Sequence, residues 1–358
     1  MKIGIDISQI IYGTGVSVYT KNLIKNLLLV DKENEYVLFG GSLRRKKELK
    51  KFAEDLKGNF STRFFRFPPA LADLFWNRLH ILNIEMFIGK LDVLHSSDWA
   101  EPPSKAFRVT TVHDLAPFRF PKLTPPKILA VHKRKISRSL SEADRIIVPS
   151  NSTKNDLVEL GFEKDRIRVI YEAASPVYKR KRQDEIKKLK KKYKITKGYL
   201  LAVGDSPRKN LDMVIRAYER VMAGNNLKLI VVGEDMAKKD YARGIRFVGH
   251  IDELELATLY SGAEALVYPS FYEGFGLPVI EAFSCGCPVV ASKTSSIPEV
   301  AGDAAILVDP TSLDSVVKGI DKALEDKNDL RKRGLERAKD FSWEKTAEET
   351  LKVYREFK

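Results

Sequence analysis

The stretch Tyr268-Pro-Ser-Phe-Tyr-Glu-Gly-Phe-Gly-Leu-Pro-Val-Ile-Glu-Ala-Phe-Ser-Cys-Gly-Cys-Pro-Val-Val-Ala-Ser292 constrains this chain more than any other. Its parts read in order as strand, loop, helix and strand: an apolar run over 265–268, a loop over 269–276 with two glycines, helical spacing over 277–284, and a β-branched run over 288–291. Such an order makes one βαβ unit of a parallel sheet. Glu273 then lies in the loop at the carboxyl end of a strand and Glu281 in the helix that follows, with seven residues between them, so both can face one crevice. Gly274 and Gly276 let a ligand come close to backbone N–H groups, and the helix starting near Leu277 aims its positive end at the same place. An anionic, hydroxyl-rich ligand suits that corner.

Two isolated glutamates would be read as a helix cap and a solvated helix residue. The flanks argue otherwise, because Glu281 sits among Val279, Ile280, Ala282 and Phe283, and a carboxylate in an apolar setting needs a partner. The run resembles the donor-site signature of retaining nucleotide-sugar glycosyltransferases of family 4 (group 1 glycosyltransferases), which adopt the GT-B fold. Their paired glutamates match Glu273 and Glu281, and the match extends through Pro-Ser-Phe-Tyr-Glu-Gly-Phe-Gly-Leu-Pro, Gly-Cys-Pro-Val-Val-Ala-Ser and Pro298-Glu-Val-Ala-Gly302.

At 358 residues the chain exceeds one typical domain, and an apolar content of 44% supplies packed cores. The resemblance implies an α/β architecture of two Rossmann-like, doubly wound domains facing each other across a cleft. The expected organisation is an acceptor-side domain over 1–178, a basic connector over 179–194 and a donor-binding domain over 195–341, with a C-terminal helix over 342–358 packing back on the first domain. That helix carries Trp343, Leu351, Tyr354 and Phe357, with Ser342 as N-cap.

No run approaches the roughly 18 apolar residues that span a bilayer, and Met1-Lys-Ile-Gly-Ile-Asp enters a strand rather than a signal sequence. The expected location is cytoplasmic, at or near the inner face of the membrane. Cys285 and Cys287 are the only cysteines, and one intervening residue suits neither a disulfide nor a zinc site; they are expected to be packing thiols. The net charge of +14 is uneven: residues 1–178 carry 29 Lys/Arg against 20 Asp/Glu, 179–194 carry 10 against 2, and 195–358 carry 23 against 26. Basic charge therefore belongs to the first half and the connector. It is either a solubilising surface or an attraction for an anionic partner such as a membrane, a lipid phosphate or a nucleic acid.

Along the first half, a strand over 2–7 leads into Ile10-Ile-Tyr-Gly-Thr-Gly-Val16 and an amphipathic helix over 17–30. This turn falls short of Gly-x-Gly-x-x-Gly, since Val18 takes the last glycine position, and no Gly-Lys-Ser/Thr follows. The resemblance gives Gly13 and Gly15 the task of facing the donor diphosphate. Helices are expected over 43–57, with Arg44, Arg45, Lys46, Lys47, Lys50 and Lys51, and over 70–87, with Leu71, Leu74, Phe75, Leu79, Leu82 and Met86 along one side. The bland alternatives are a solvated face and a core face; in the resembled family such helices lie on the membrane and accept a lipid-linked substrate. Strands over 92–95 and 109–112 deliver His95 and His113. His113, in Thr110-Thr-Val-His-Asp-Leu-Ala-Pro, matches the family histidine beside the donor sugar and acceptor, while His95 and Asp98 are weaker acceptor-side candidates.

The second half opens with a buried strand over 199–205, then Ser-Pro-Arg-Lys-Asn-Leu. Arg208 and Lys209 stand where strand gives way to helix, a position suited to neutralising a pyrophosphate. Lys209 matches the family's phosphate-binding lysine; many members carry an arginine where this chain has Asp205, and Arg208 is expected to supply that second charge. In the family the backbone at Gly-His-Ile, here Gly249, His250 and Ile251, borders the nucleobase.

The function expected is hexosyl transfer with retention, mannose from GDP-mannose to a glycan or lipid-linked acceptor in surface polysaccharide or glycolipid synthesis. Arg208, Lys209 and backbone N–H groups at Gly15, Phe275 and Gly276 would stabilise the leaving diphosphate; Glu281 would hold the ribose, and Glu273 and His113 the sugar, with Gly274 and Leu277 completing the donor loop. No Asp-x-Asp motif is present, and neither a metal nor a further cofactor is expected. Alternatives within enzymes are a UDP-glucose or UDP-N-acetylglucosamine donor, or an epimerase or phosphorylase on the same fold. Outside enzymes they are a sugar-nucleotide binding protein without turnover, or a basic protein that binds membrane or nucleic acid; no recognised nucleic-acid module appears, and no nucleic-acid partner is expected.

Overall fold

The computed structural model describes residues 1–97, 99–222, 227–234 and 244–357, and of Ser97 the backbone alone. Asp98 lies outside the described residues. By its contacts the chain divides into two compact units, Met1–Glu172 with Ser342–Lys358, and Ala173–Phe341.

The first unit is built on a seven-stranded sheet. Its strands are β1 (Lys2–Asp6), β2 (Glu35–Gly41), β3 (Phe60–Phe65), β4 (Val93–Ser97), β5 (Phe107–Thr111), β6 (Arg145–Val148) and β7 (Ile167–Val169). They lie in the order β3-β2-β1-β4-β5-β6-β7 with every pair parallel. Ile5 stands opposite Leu38 on one side and His95 on the other. Ile3, Leu38, Leu94, Val109 and Ile146 are fully buried, as continuous apolar strands covered on both faces must be.

The second unit carries a six-stranded sheet in the order β10-β9-β8-β11-β12-β13. These strands are β8 (Gly198–Val203), β9 (Leu227–Val232), β10 (Ile245–Phe247), β11 (Ala265–Tyr268), β12 (Val289–Ser292) and β13 (Ile306–Val308). All pairs are again parallel. Leu200, Leu229, Val267 and Val290 meet Val214, Tyr218, Val316 and Ile320 of the covering helices in one core.

In each sheet the strand order reverses once, between β1 and β4 in the first and between β8 and β11 in the second. Ligands of open α/β sheets bind outside the carboxyl ends of the strands that flank such a reversal. Those ends are Asp6 and Ser97 in one unit, Val203 and Tyr268 in the other.

Several elements differ from the sequence expectation. The expected helix over 70–87 is broken into Pro69–Ala72, a π-helical turn Asp73–Arg78, and Glu85–Ile88, with His80 and Leu82 at positive φ between them. Its apolar stripe is therefore not a core face: Leu71, Leu74, Leu79 and Met86 are exposed and Phe75 and Leu82 half-buried, while Trp76, Ile84 and Ile88, which lie off the stripe, are buried. The basic helix over 43–57 shortens to Lys46–Glu54, and only Leu49 of it is buried. The basic segment over 179–194 belongs to the body of the second unit, since its helix Gln183–Lys192 buries Ile186 and Leu189, and the Lys181 N–H donates to Ser261 Oγ at 3.0 Å. The C-terminal helix Trp343–Tyr354 lies in the first unit. Ser342 caps it by accepting from the Lys345 N–H at 3.1 Å, and the Trp343 ring meets that of Tyr19, in helix Gly15–Val30, at 5.8 Å between centroids.

Candidate active site

In the second unit, the loops that leave β8 and β11 are stitched together by their own backbones. After Val203 the chain turns at Gly204, whose φ of +91° lets the Lys209 side chain pass over a position where a Cβ would stand 3.1 Å from Lys209 Cγ. The 3-10 turn Pro207–Lys209 follows. The Arg208 carbonyl accepts from the Phe271 N–H at 2.9 Å and from Ser270 Oγ at 3.0 Å, and Asn210 donates to the carbonyls of Pro269 at 3.1 Å and Pro310 at 2.7 Å. Two loops far apart in sequence thus form one rigid wall at the strand-order reversal.

Glu273 sits in that wall, 5% exposed. Its Oε1 accepts from Lys209 Nζ at 2.7 Å, Tyr268 Oη at 2.8 Å and Ser270 Oγ at 2.6 Å, while Arg208 approaches Oε2 at 3.6 Å. Burial pushes the carboxyl up, but the Lys209 ammonium, the Arg208 guanidinium and the Ser270 hydroxyl outweigh it and hold Glu273 below the usual carboxylate value. Lys209 also donates to Tyr268 Oη and lies 4.8 Å from the centroid of that ring. The two cations expected from sequence and the first glutamate therefore form one cluster, completed by Tyr268 and Ser270.

Glu281 lies in helix Leu277–Ser284, 9% exposed. The Tyr260 hydroxyl donates to Oε2 at 3.1 Å, and the Tyr178 and Tyr260 rings meet edge to face, 6.1 Å apart. Burial dominates and pushes its carboxyl up to about 7, with Tyr260 and Tyr178 pulling the other way and Glu253 adding to the rise.

Gly276 takes φ of +105° as the N-cap of this helix, and a Cβ there would stand 2.6 Å from Ile297 Cδ1. Gly274 and Phe275 occupy the same loop, where the Ser296 hydroxyl donates to the carbonyls of Glu273 at 2.9 Å and Phe275 at 2.8 Å. Leu277 and Pro278 form the first turn of the helix. Asp205, which stands where the resembled family carries arginine, accepts from the Glu234 N–H at 2.9 Å and so joins the ends of β8 and β9. His250 is exposed and Ile251 half-buried on the loop after β10. Cys285 and Cys287 are buried free thiols, and burial pushes the Cys285 thiol up to about 12. Among the described residues no group of three or more His, Cys, Asp or Glu side chains is placed to hold a metal ion.

In the first unit, His113 follows β5 and its Nδ1 lies 3.2 Å from Glu172 Oε1, with the Tyr19 ring edge-on at 4.6 Å. Gly13 takes φ of +71° with open space where a Cβ would stand, and Gly15 begins helix Gly15–Val30, two residues earlier than expected. The first-turn amides of that helix have no intrahelical acceptor and point out of its N-terminus. His95 is not a ligand-facing group. It is 3% exposed, its Nδ1 lies 2.5 Å from Tyr354 Oη and its Nε2 2.8 Å from Thr111 Oγ1, and burial lowers it to about 3, so the ring is a neutral tie between β4 and the C-terminal helix.

Tyr178, Tyr260, Tyr268 and Glu172 escaped the sequence reading. Tyr268 ends a strand that the motif already identified, so its position was available; the other three come from elements remote in sequence.

Comparison with known proteins follows the same two halves. Residues 181–341 match the family model "Glycosyl transferases group 1", and residues 13–175 match "Glycosyltransferase Family 4". The chain is 30% identical to O-antigen chain mannosyltransferase B of Escherichia coli over 96% of each protein. Its fold is similar to that of sucrose-phosphate synthase from Thermosynechococcus elongatus, with a TM-score of 0.74 at 19% identity over 99% of this chain and 98% of the other. It is also similar to Anabaena HepE, solved in complex with UDP and glucose, with a TM-score of 0.72 at 15% identity over 99% and 100% of the two chains.

Proposed function

This chain belongs to the family 4, group 1 glycosyltransferases with the GT-B fold, and from that premise we propose that it moves mannose from GDP-mannose, with retention at the anomeric carbon, to a glycan or lipid-linked acceptor in surface polysaccharide synthesis. The observation that carries the donor assignment is the Lys209–Glu273–Tyr268 cluster at the strand-order reversal of the second sheet. Mannose is supported by the likeness to an O-antigen chain mannosyltransferase across nearly the whole chain.

Lys209 and Arg208 take the donor diphosphate and the charge that builds on it as the glycosidic bond breaks. Two fixed cations supply the electrostatics that a metal ion supplies elsewhere, and no cofactor beyond the donor is assigned. Glu281 accepts hydrogen bonds from the ribose hydroxyls, and Glu273 orients the sugar hydroxyls. On the first unit, His113 and the Gly13–Gly15 turn keep the roles that the family resemblance implies, contact with the transferred sugar and with the diphosphate. The acceptor oxygen bonds to the anomeric carbon on the face the phosphate leaves, and the hydroxyl proton passes to the departing phosphate oxygen.

The membrane face is assigned to the first unit, which exposes Leu79, Ile81, Met86 and Phe87 as well as the basic Lys47, Lys50 and Lys51. No helix of the described residues is long and apolar enough to cross a bilayer.

The test is turnover of GDP-α-mannose and UDP-α-glucose by the purified protein with a mannosyl-terminated lipid acceptor, with nucleotide release quantified and the product linkage read by NMR. GDP release with an α-linked product supports the proposal. Turnover of UDP-glucose alone, or a β-linked product, contradicts it.

A further inference from the structure

Glu281 lies in the middle of its helix, and what holds its carboxylate comes from outside that helix. Tyr260 projects from helix Glu253–Gly262, which packs against both the helix Leu277–Ser284 and the basic helix Gln183–Lys192. The Tyr260 side chain is fully buried, and its hydroxyl donates to Glu281 Oε2 at 3.1 Å. Tyr178, 6% exposed, stands at the end of a turn that its own N–H closes onto the Ser175 carbonyl at 2.9 Å, and its ring meets that of Tyr260 edge to face. The Tyr178 hydroxyl bears on the same carboxyl. Two segments remote in sequence thus converge on one side chain.

Ring packing does not account for the two hydroxyls. Phenylalanine fills the same ring positions, and taking a phenol O–H out of water is costly unless it finds an acceptor. Burial first, and then the Glu281 charge, raises both phenols well above their ordinary value, so both stay O–H donors at neutral pH. A donor facing a carboxylate makes a charge-assisted bond that favours the ionised form over the protonated one. Against that bond act burial and Glu253, in the first turn of the Tyr260 helix, while Lys209 works on the side of the tyrosines. Cys285, at the end of the Glu281 helix, and Tyr268, at the end of β11, feel the Glu281 charge and stay neutral.

Resting on the ribose role proposed for Glu281, we infer that Tyr260 and Tyr178 are positioning residues for the donor: their hydroxyls hold the Glu281 carboxylate in place, so that the ribose hydroxyls meet acceptors already set. They act through Glu281, by orienting it and by keeping it ionised, which removes from the binding step the work of fixing a loose side chain and expelling a proton. The ribose is common to nucleoside diphosphate sugars of every base. The pair therefore sets donor affinity and its pH range and leaves the choice of base alone.

The test is calorimetric titration of GDP-mannose and of UDP-glucose into the full-length wild type, Tyr260→Phe, Tyr178→Phe and Glu281→Gln between pH 6 and pH 8.5. Neither probe carries a phosphate monoester, so the diphosphate keeps its charge over that range. For the probe that binds the wild type, Tyr260→Phe is expected to move the midpoint of the affinity profile up by about one pH unit, weakening binding by about tenfold at pH 6 and by less than about twofold at pH 8.5. Tyr178→Phe should shift it the same way by less, and Glu281→Gln should bind weakly with no such midpoint. If Tyr260→Phe does not fold, Tyr178→Phe carries the comparison. An unmoved midpoint in the tyrosine variants, whether affinity is unchanged or lowered by one factor at every pH, overturns the inference and leaves Glu281 its role. Binding of neither probe to the wild type, or wild-type affinity in Glu281→Gln, removes the donor reading itself and the inference with it.

Discussion

Lys209 Nζ stands 2.7 Å from Glu273 Oε1, inside a wall made from two loops that leave neighbouring strands. The pair is the hinge between stability and function in this protein. The cation proposed to take the donor diphosphate is also what keeps a buried carboxylate ionised.

Removing one partner should therefore hurt twice. Lys209→Ala leaves Glu273 the Tyr268 and Ser270 hydroxyls and, for charge, the more distant Arg208 guanidinium, and should lower unfolding stability by about 3 kcal/mol. Lys209→Ala combined with Glu273→Gln should recover most of that loss in a denaturant titration while recovering no transfer activity. Recovery of activity along with stability would show that Lys209 serves the fold alone.

Glu281 predicts a pH dependence of stability with a definite sign. Its carboxyl is raised from 4.5 to about 7, so between those values the native state holds a proton that the unfolded chain has released. Stability contributed by this group is greatest at low pH and falls as pH rises through that window, by on the order of 3 kcal/mol in all. Glu281→Gln should flatten this slope and melt higher than the wild type at pH 8. Equal melting temperatures of the two proteins at pH 8 would contradict the burial argument.

On the ribose role proposed for Glu281, the same carboxyl should set nucleotide affinity in the opposite direction. Ribose hydroxyls would donate to the ionised form, so GDP affinity in the wild type should fall as pH drops from 8 to 6. Calorimetric titration at the two pH values checks it, with Glu281→Gln expected to be weak and nearly pH-independent.

Gly276→Ala should destabilise through two separate causes. The residue holds φ of +105°, and its new Cβ would meet Ile297 Cδ1 at 2.6 Å. A loss of about 1–3 kcal/mol is expected, and Gly276→Ala with Ile297→Ala should stay well below the wild type, because trimming Ile297 cannot relieve the backbone.

How much of this was legible from sequence depends on how local the signal is. The Glu273–Glu281 unit was readable because strand, turn, helix and strand follow one another without interruption, and their apolar spacing matches the elements seen. Arg208 and Lys209 were readable from their place after a strand. The hydrogen bond that joins Lys209 to Glu273 was not, since it depends on β8 pairing with β11, which no local pattern encodes. β3 escaped because Phe-Ser-Thr-Arg-Phe-Phe lies on the sheet edge and no residue of it is fully buried, and β13 is three residues long. The helix expected over 70–87 failed for a physical reason as well: His80 and Leu82 take positive φ, which helical periodicity cannot foretell. His95 was mistaken for an acceptor-side candidate because its partners, Thr111 and Tyr354, come from β5 and the far end of the chain.

The most direct measurement is calorimetric titration of GDP into the wild-type protein, Lys209→Ala and Glu281→Gln under identical conditions at pH 8. One site is expected on the wild type, with affinity weakened by about tenfold or more, at least ~1.4 kcal/mol, in each variant. No binding to the wild type, or wild-type affinity in both variants, would contradict a donor seat at the ends of β8 and β11.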